Sequence, residues 1–138
     1  MGCDDDTLPD YYGLVKFYDI LRGPCSAGYR WNLDFSPRLP EVLEELGYVN
    51  VQQQRRKLPI GGWPKDVAER EVGMHFAGIL FEFVEAILLK HEDVNLTEHE
   101  ASQLREEIKR SFYDPTIHAY VGWISVWGQR AATTNQVD

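Results

Sequence analysis

The stretch Leu58-Pro-Ile-Gly-Gly-Trp-Pro-Lys-Asp66 decides how this chain folds, because it places two prolines, two glycines and a tryptophan in one short segment. Proline fixes its φ angle and glycine can adopt a positive φ, so such a segment has few backbone paths open to it. A long, mostly apolar run begins at Val67, directly after the polar residues Lys65 and Asp66. The pattern predicts a fixed turn that leads straight into a helix.

A second stretch, Asp114-Pro-Thr-Ile-His-Ala-Tyr120, marks the change from a helix to a strand. Proline disfavours the helical conformation of the residue before it, so the preceding helix is expected to end at Asp114. From His118 to Gln129 aromatic and β-branched residues dominate, which predicts a strand at about 118–129. Residues 48–58 predict another strand, with Val49 and Val51 on one face, Asn50 and Gln52 on the other, and a polar run at 52–57 that fits the exposed part of an edge strand.

Two helices are predicted between these strands. The first runs from about Val67 to His91, and Thr97 with Glu100 forms a capping box that begins the second. The apolar residues of the first helix that should face the core are Val72, Phe76, Ile79, Leu80, Phe83, Val84, Ile87 and Leu88. Those of the second helix are Ala101, Leu104, Ile108 and Phe112. The sequence therefore predicts one mostly helical α+β domain with two antiparallel strands over residues 1–130, followed by a flexible tail at 131–138.

The composition is that of a globular domain without nucleic-acid or membrane contacts. The 138 residues are 43% hydrophobic and 26% charged, and their net charge is −8; an acidic surface repels phosphate backbones. The longest apolar run, 76–89, is interrupted by Glu82 and Glu85 and is too short to span a bilayer. Acidic residues follow the first methionine too closely for a signal peptide. The two cysteines have no C-x-x-C spacing, so reduced thiols and a cytoplasmic location are expected.

Three motifs together resemble a known family. They are Pro59-Ile-Gly-x-Trp-Pro-x-Asp66, then Glu71-x-Gly73, then Asp114-Pro-x-x-His-Ala-Tyr120. This series resembles the C-terminal part of the fungal class I S-adenosylmethionine-dependent methyltransferases of secondary metabolism, the group that includes the LaeA-like regulators. The likeness runs from about Asp4 to Arg130. It implies that the two predicted strands are the last two strands of the methyltransferase sheet.

The nucleotide-binding half of such an enzyme has no counterpart in this sequence. The pair Gly61-Gly62 lies between prolines, and the glycines between Gly23 and Gly28 are not followed by a long helix. A phosphate-binding loop is excluded for the same reason. We therefore expect a truncated methyltransferase-like fold that binds no cofactor and does not transfer a methyl group by itself.

The final strand is expected to have one unpaired edge. In the family that the chain resembles, this strand lies between two others, and nothing here supplies its second neighbour. Residues 119–127 are apolar and contain no proline, lysine or arginine, although natural proteins pair, cover or charge such edges. The sequence therefore predicts a homodimer, or a complex with a larger partner, that completes the sheet through strand 119–127.

Two groups of residues are candidates for chemistry. Glu71 and His75 lie one turn apart on the long helix, in a stripe with Glu82, and form either an acid/base pair at a cavity or a solvated face. His118 and Tyr120 share one face of the final strand; the resemblance implies a place near the pocket floor, and a structural role is equally open. The candidate catalytic residues are Glu71, His75 and His118, and the candidate substrate-binding residues are Trp63, Tyr120, Glu82 and Phe76. No set of residues has metal-ligand spacing, so no metal is expected.

The acidic run Asp4-Asp5-Asp6 is a further candidate. It resembles the loop that lies near the substrate mouth in the same family, which implies that Asp5 or Asp6 could approach a ligand. A solvated acidic terminus is the alternative.

Three functions are compatible with these features. The first is a methyltransferase-like enzyme of fungal secondary metabolism that has lost methyl transfer and acts as a cofactor-independent isomerase, cyclase or dehydratase on a hydrophobic small molecule. The second is a non-catalytic partner subunit of a full-length methyltransferase. The third is a fragment of an active S-adenosylmethionine-dependent methyltransferase.

Overall fold

The computed structural model describes residues 2–9, 12–25 and 35–131, and it has an α+β fold. The elements are α1 (Gly13–Ile20), α2 (Leu39–Glu45), β1 (Tyr48–Pro59), α3 (Val67–Leu88), α4 (Glu98–Tyr113) and β2 (Tyr120–Arg130). Both predicted strands and both predicted helices between them are confirmed. Residues 132–138 of the predicted flexible tail lie outside the described residues. Within the described ranges, no helix is both long enough and apolar enough to cross a membrane.

The two long helices begin where the sequence predicts, and a side chain caps each of them. The Asp66 side chain accepts a hydrogen bond from the backbone N–H of Glu69 at 3.0 Å, and this begins α3. The Thr97 hydroxyl accepts from the backbone of Glu100, while the Glu100 carboxylate accepts from the backbone of Thr97 at 2.8 Å. This reciprocal pair satisfies backbone donors that the first turn of a helix leaves free.

The described residues divide into two compact units. The first holds residues 2–9, 12–25 and 57–122, and the second holds 35–56 and 123–131. In the first unit α1 and α3 both pack against α4. Its most deeply buried large side chains are Tyr12, Ile60, Val84, Leu88, Leu104 and Ile108. All four residues predicted to form the core face of α4 are buried.

The turn after β1 is fixed by backbone-to-backbone contacts with the helices. Gly61 has a φ of 88°, and a Cβ atom there would lie 2.6 Å from the carbonyl oxygen of Phe112. A Cβ atom on Gly73 of α3 would lie 2.2 Å from the carbonyl oxygen of Gly61. The N–H of Gly61 donates to the carbonyl of Gly73 at 3.0 Å. Both glycines are therefore needed because no side chain fits between the turn and the helices.

The buried face of α3 differs from the predicted one as far along the helix as Phe83. Its buried residues are Gly73, Ala77, Val84, Ile87 and Leu88. Val72 is 48% exposed, Ile79 63% and Phe83 39%. The prediction followed the largest apolar side chains, whereas the helix packs through its small residues because they allow the turn to approach. The helix also ends at Leu88, before the predicted His91, and a 3-10 turn follows at His91–Val94.

The two strands form an antiparallel two-stranded sheet. The N–H of Ile60 donates to the carbonyl of Ala119 at 2.9 Å, and the Asn50 amide donates to the Gln129 side chain at 2.7 Å. Gly2 exchanges two backbone hydrogen bonds with Tyr120, at 2.9 and 3.0 Å, on the opposite edge of β2. Beyond Tyr120 this outer edge has no strand partner within the part of the chain that the structure describes.

Candidate functional site

The start of β2 gathers polar and aromatic side chains from three distant parts of the sequence. We call this group the Asp–His cluster; its members are Asp4, Asp5, Thr7, Lys57, Trp63, His118 and Tyr120. The bridge between Gly2 and Tyr120 lays the residues after Gly2 along the strand. Because side chains two residues apart share one face of an extended chain, His118 and Tyr120 both point towards this segment.

The centre of the cluster is a pair formed by Asp5 and His118. The Nδ1 atom of His118 lies 2.5 Å from the Oδ2 atom of Asp5. Because Asp5 is ionised, Nδ1 must carry the proton that it donates. In neutral His118 this tautomer leaves a lone pair on Nε2. A carboxylate that orients an imidazole in this way is the arrangement used by many general bases.

Asp5 is held in place by its own local hydrogen bonds. Its Oδ1 atom accepts from the thiol of Cys3 at 3.0 Å and from the hydroxyl of Thr7 at 2.8 Å. The Cys3 hydrogen bond, followed by those of His118 and Thr7, keeps the pKa of Asp5 well below its ordinary value. The Thr7 hydroxyl also accepts from the backbone N–H of His118 at 2.9 Å. Thr7 therefore connects both members of the pair.

Trp63 supports the imidazole from the turn after β1. The centres of the Trp63 and His118 rings are 5.0 Å apart, with 30° between the ring planes. The indole Nε1 donates to the carbonyl of Ala119 at 2.9 Å. The rigid turn therefore places the flat indole ring of Trp63 against His118, and the indole hydrogen bond ties Trp63 to the start of β2.

A second ionic group adjoins the pair through the neighbouring residue Asp4. The Tyr120 hydroxyl donates to Oδ1 of Asp4 at 2.9 Å, and the Lys57 ammonium donates to Oδ2 at 2.5 Å. The Lys57 nitrogen also lies 4.6 Å from the centre of the Tyr120 ring. The hydrogen bond with Lys57 lowers the pKa of Asp4, and the same contact raises the pKa of Lys57. Both side chains are more than half exposed, so water screens this attraction.

An open groove lies along α3, and we call it the α3 groove. Its volume is about 510 Å³, and its lining residues are Leu58, Ala68, Glu71, Val72, His75, Phe76 and Ile79. The lining is mostly apolar, with the two polar residues Glu71 and His75 among it. The Nδ1 atom of His75 lies 2.8 Å from the main-chain oxygen of Glu71. The contact between these residues therefore involves the Glu71 backbone.

The structure separates the predicted site residues into two places. His118, Trp63 and Tyr120 meet in the Asp–His cluster, whereas Glu71, His75 and Phe76 line the α3 groove. Glu82 is exposed on α3 and lines neither site. Asp5 joins the cluster through its contact with His118, and Asp6 is exposed next to it.

The sequence analysis did not identify three members of the cluster as site residues, namely Asp4, Thr7 and Lys57. Their partners lie far away in the sequence: 53 residues separate Lys57 from Asp4, and 111 separate His118 from Thr7. The acidic run was the one available signal. Across the described ranges, no three acidic, histidine or cysteine side chains lie close enough together to hold a metal ion.

Comparison with known proteins gives relatives of one kind. No protein-family model matches the chain, and no solved structure matches it. The chain is 28% identical over 134 residues to the secondary metabolism regulator LAE1 of Cochliobolus heterostrophus, with 93% of this chain and 42% of that protein aligned. It is 26% identical over 132 residues to methyltransferase pytC of Aspergillus terreus, with 94% and 40% aligned. It is 28% identical over 130 residues to the secondary metabolism regulator laeA of Fusarium oxysporum f. sp. lycopersici, with 93% and 41% aligned.

The chain spans about two fifths of the length of these relatives. This proportion is consistent with the C-terminal portion that the motifs predicted. The chain is therefore similar, over nearly its whole length, to LaeA-like regulators and methyltransferases of fungal secondary metabolism, and the resemblance carried by its motifs is confirmed.

Proposed function

We propose that this methyltransferase-like chain acts in fungal secondary metabolism by moving a proton on a hydrophobic small molecule, as a cofactor-independent isomerase or cyclase. The observation that carries the proposal is the contact of 2.5 Å between His118 Nδ1 and Asp5 Oδ2. It gives an imidazole of fixed orientation and fixed tautomer beside an aromatic wall. Such reactions need a positioned base, and they need no redox partner.

The proposed step begins at the unprotonated Nε2 atom of His118. Nε2 takes a proton from a carbon or hydroxyl group of the substrate, and the ionised Asp5 stabilises the imidazolium that forms. The same nitrogen then returns the proton to a different atom of the substrate, so the charge and the atoms of enzyme and product balance. Trp63 contributes an apolar face for the substrate, and Tyr120 forms a wall beside it. Lys57 and Asp4 hold the Tyr120 ring and hydroxyl in place.

The α3 groove is a second place where this chemistry could occur. Its volume of about 510 Å³ is in the range of small-molecule sites, and Glu71 and His75 are the acid/base residues there. Lys57 belongs to the cluster and Leu58 to the groove, and neighbouring residues of a strand point to opposite faces. The cluster and the groove therefore lie on opposite faces of β1, and each is tested with its own variant.

The test is proton exchange into a polyketide-like probe. Aryl-substituted β-diketones are incubated with the protein in D₂O, and mass spectrometry follows deuterium incorporation and rearranged products. We expect His118→Gln to reduce the exchange rate by about 100-fold or more, the usual effect of losing a general base. The matched control is His99→Gln, because His99 is exposed at the start of α4. An unchanged rate in His118→Gln contradicts the proposal, and a loss in His75→Gln assigns the reaction to the groove.

A second candidate is a partner subunit of a full-length methyltransferase. The outer edge of β2, which has no strand partner beyond Tyr120 among the described residues, supports it. A third is that the chain is a piece of an active S-adenosylmethionine-dependent methyltransferase, in which the cluster lies on the substrate side. Adding S-adenosylmethionine to the exchange assay, with and without a full-length relative, distinguishes the second and third candidates from the first proposal, because only these two require a methylated product.

We place the protein in the cytoplasm on the basis of its predicted reduced thiols.

A further inference from the structure

Two segments of the chain share one local arrangement, an aspartate followed two residues later by a threonine. In Asp5-Asp6-Thr7 the Thr7 hydroxyl donates to Oδ1 of Asp5 at 2.8 Å, and in Asp114-Pro115-Thr116 the Thr116 hydroxyl donates to Oδ1 of Asp114 at 2.6 Å. The backbone N–H of each threonine donates to the same carboxylate oxygen, at 3.4 and 2.9 Å. Such turns form from neighbouring residues alone, so the arrangement by itself indicates no function.

Thr7 differs from Thr116 by a contact with a distant part of the chain. Its hydroxyl oxygen accepts from the backbone N–H of His118 at 2.9 Å, across 111 residues of sequence. Among the residues that the structure describes, the Thr116 hydroxyl bonds to Asp114 alone. Of the two threonines, Thr7 is therefore the one that reaches the Asp–His cluster.

The chemistry of the partners fixes the direction of both bonds of the Thr7 hydroxyl. An ionised carboxylate can only accept, and a backbone N–H can only donate. The single hydroxyl proton of Thr7 is therefore directed at Asp5, and its oxygen lone pairs are left for His118. One hydroxyl thus connects the backbone of the candidate base to the carboxylate that orients its ring.

Trp63 holds the same part of the chain from the turn after β1. Its indole donates to the carbonyl of Ala119 at 2.9 Å, and its ring centre lies 5.0 Å from that of His118. Thr7 and Trp63 each contact the main chain at the start of β2, and each also contacts the imidazole or its carboxylate partner. The backbone and the ring of His118 are therefore fixed together, as a proton transfer at a defined atom requires.

We propose that Thr7 is a positioning residue for the proton transfer by His118. This inference rests on the proposed function of the Asp–His cluster. The Thr7 hydroxyl keeps Asp5 aligned with Nδ1 of His118, so that Nε2 stays the unprotonated nitrogen at a defined place. The Cys3 thiol supports Asp5 at 3.0 Å, so losing the Thr7 hydroxyl should weaken this alignment without releasing the carboxylate.

The first test reads the tautomer of His118 without any substrate. The ¹⁵N resonances of the two ring nitrogens, recorded at about pH 8 where histidine is neutral, show which nitrogen carries the proton. We expect the Nδ1–H form in wild type and in Thr7→Ser, and a mixture of both tautomers in Thr7→Val. Thr116→Val is the matched control, because it removes the same local bond close to His118 in the sequence, and it should keep the wild-type form. A Thr7→Val variant with the wild-type tautomer overturns the inference.

A further control separates positioning from simple attachment of residues 2–7. Asp4→Asn weakens the hold on the same segment through its contacts with Lys57 and Tyr120, and it leaves the bonds of Thr7 in place. It should keep the Nδ1–H tautomer. Equal mixing of the tautomers in Asp4→Asn and Thr7→Val would show that Thr7 acts only by holding the segment, and it would overturn the inference.

The second test is the rate of deuterium exchange into the aryl-substituted β-diketones. Thr7→Val should be about 10-fold slower than wild type, since the loss of one hydrogen bond to a charged group has effects of this size, and Thr7→Ser should restore most of the rate. In an Asp5→Asn background Thr7→Val should slow exchange much less, because Thr7 acts through Asp5. Equal factors in both backgrounds overturn the inference. If wild type exchanges no probe, the proposed function fails, and the tautomer measurement still decides the role of Thr7.

Discussion

At the scale of single residues, the cluster is stabilised by ionised carboxylates that belong to the first residues of the chain. Asp5 contacts His118 and Asp4 contacts Lys57 and Tyr120. The hydrogen bonds of these contacts lower the pKa of both carboxyl groups, chiefly from Cys3 for Asp5 and from Lys57 for Asp4. A lowered pKa links the ionisation of a group to folding. The attachment of residues 2–7 to β2 should therefore depend on pH.

The first prediction concerns acid stability. Because the folded pKa values of Asp4 and Asp5 lie below the unfolded value of about 3.9, both ionised groups stabilise the fold above that pH. Their contribution is lost as the pH falls through the folded values. We expect Asp4→Asn with Asp5→Asn to lower the melting temperature at neutral pH and to leave it closer to wild type in acid. Thermal unfolding from about pH 7 to pH 2 measures this difference.

The control for this experiment is Asp6→Asn. Asp6 is exposed and has a φ of 56°, a conformation that asparagine also tolerates. It should follow wild type at every pH. If the double variant keeps the full pH dependence of wild type, the two carboxylates do not hold the segment as described.

At the scale of elements, α3 is positioned by its smallest side chains. Gly73 and Ala77 are buried, whereas Val72 and Ile79 of the same helix are exposed. The turn at Gly61 approaches the helix backbone directly. Since Trp63 leaves this turn and stacks on His118, the packing of α3 also determines the position of the candidate base.

The second prediction compares two glycines of α3. Gly73→Ala forces a backbone shift, because its Cβ atom would lie 2.2 Å from the carbonyl oxygen of Gly61. We expect a loss of about 2 kcal/mol or more in the free energy of unfolding. Gly78→Ala meets nothing within 4 Å and should gain about 0.5–1 kcal/mol from helix propensity. Urea unfolding followed by circular dichroism measures both, and a neutral Gly73→Ala would contradict the close approach.

The third prediction concerns the capping box of α4. Thr97→Ala leaves the Glu100 backbone N–H without its side-chain acceptor and should cost about 1 kcal/mol. Thr97→Ser keeps the hydroxyl and should differ little from wild type. Chemical denaturation of the two variants gives the comparison, and equal losses in both would argue against the cap.

At the scale of the whole molecule, apolar surface remains uncovered along the α3 groove. Leu58, Val72, Phe76 and Ile79 line it, and Ile79 is 63% exposed. Soluble monomers rarely expose contiguous apolar surface of this kind. Where they do, it usually marks an interaction or ligand site. We therefore expect apolar compounds to bind along the α3 groove.

The fourth prediction tests the exposure of this surface. Ile79→Lys should change the free energy of unfolding by no more than about 0.5 kcal/mol and should reduce the fluorescence of a bound hydrophobic dye. Ala77→Lys places a charge at a position that is 4% exposed, so it should unfold the protein or destabilise it by several kcal/mol. A strong loss of stability in Ile79→Lys would indicate that Ile79 is buried, as the sequence predicted.

Local signals made most of the fold predictable. The caps at Asp66 and Thr97 and the stop at Asp114 act over one helical turn, so their residues suffice to place the helix ends. The face of α3 was predicted wrongly because hydrophobicity ranks Val72 above Gly73, whereas contact with the Gly61 backbone needs the smaller residue. His118, Tyr120 and Trp63 were found through motif resemblance. Asp4 and Lys57 were missed because their contact joins the first residues of the chain to β1, and no local pattern connects these two segments.

The alternating direction of the β2 backbone has a consequence for exchange of its amide hydrogens with water. Because backbone direction alternates along a strand, the odd-numbered amides from Val121 onward point towards β1 and should exchange slowly. The even-numbered amides at Gly122, Ile124, Val126 and Gly128 should exchange quickly wherever the outer edge is free. One strand therefore carries two interleaved sets of reporters, and the ratio of their rates in an NMR spectrum measures the fraction of time for which the edge is covered.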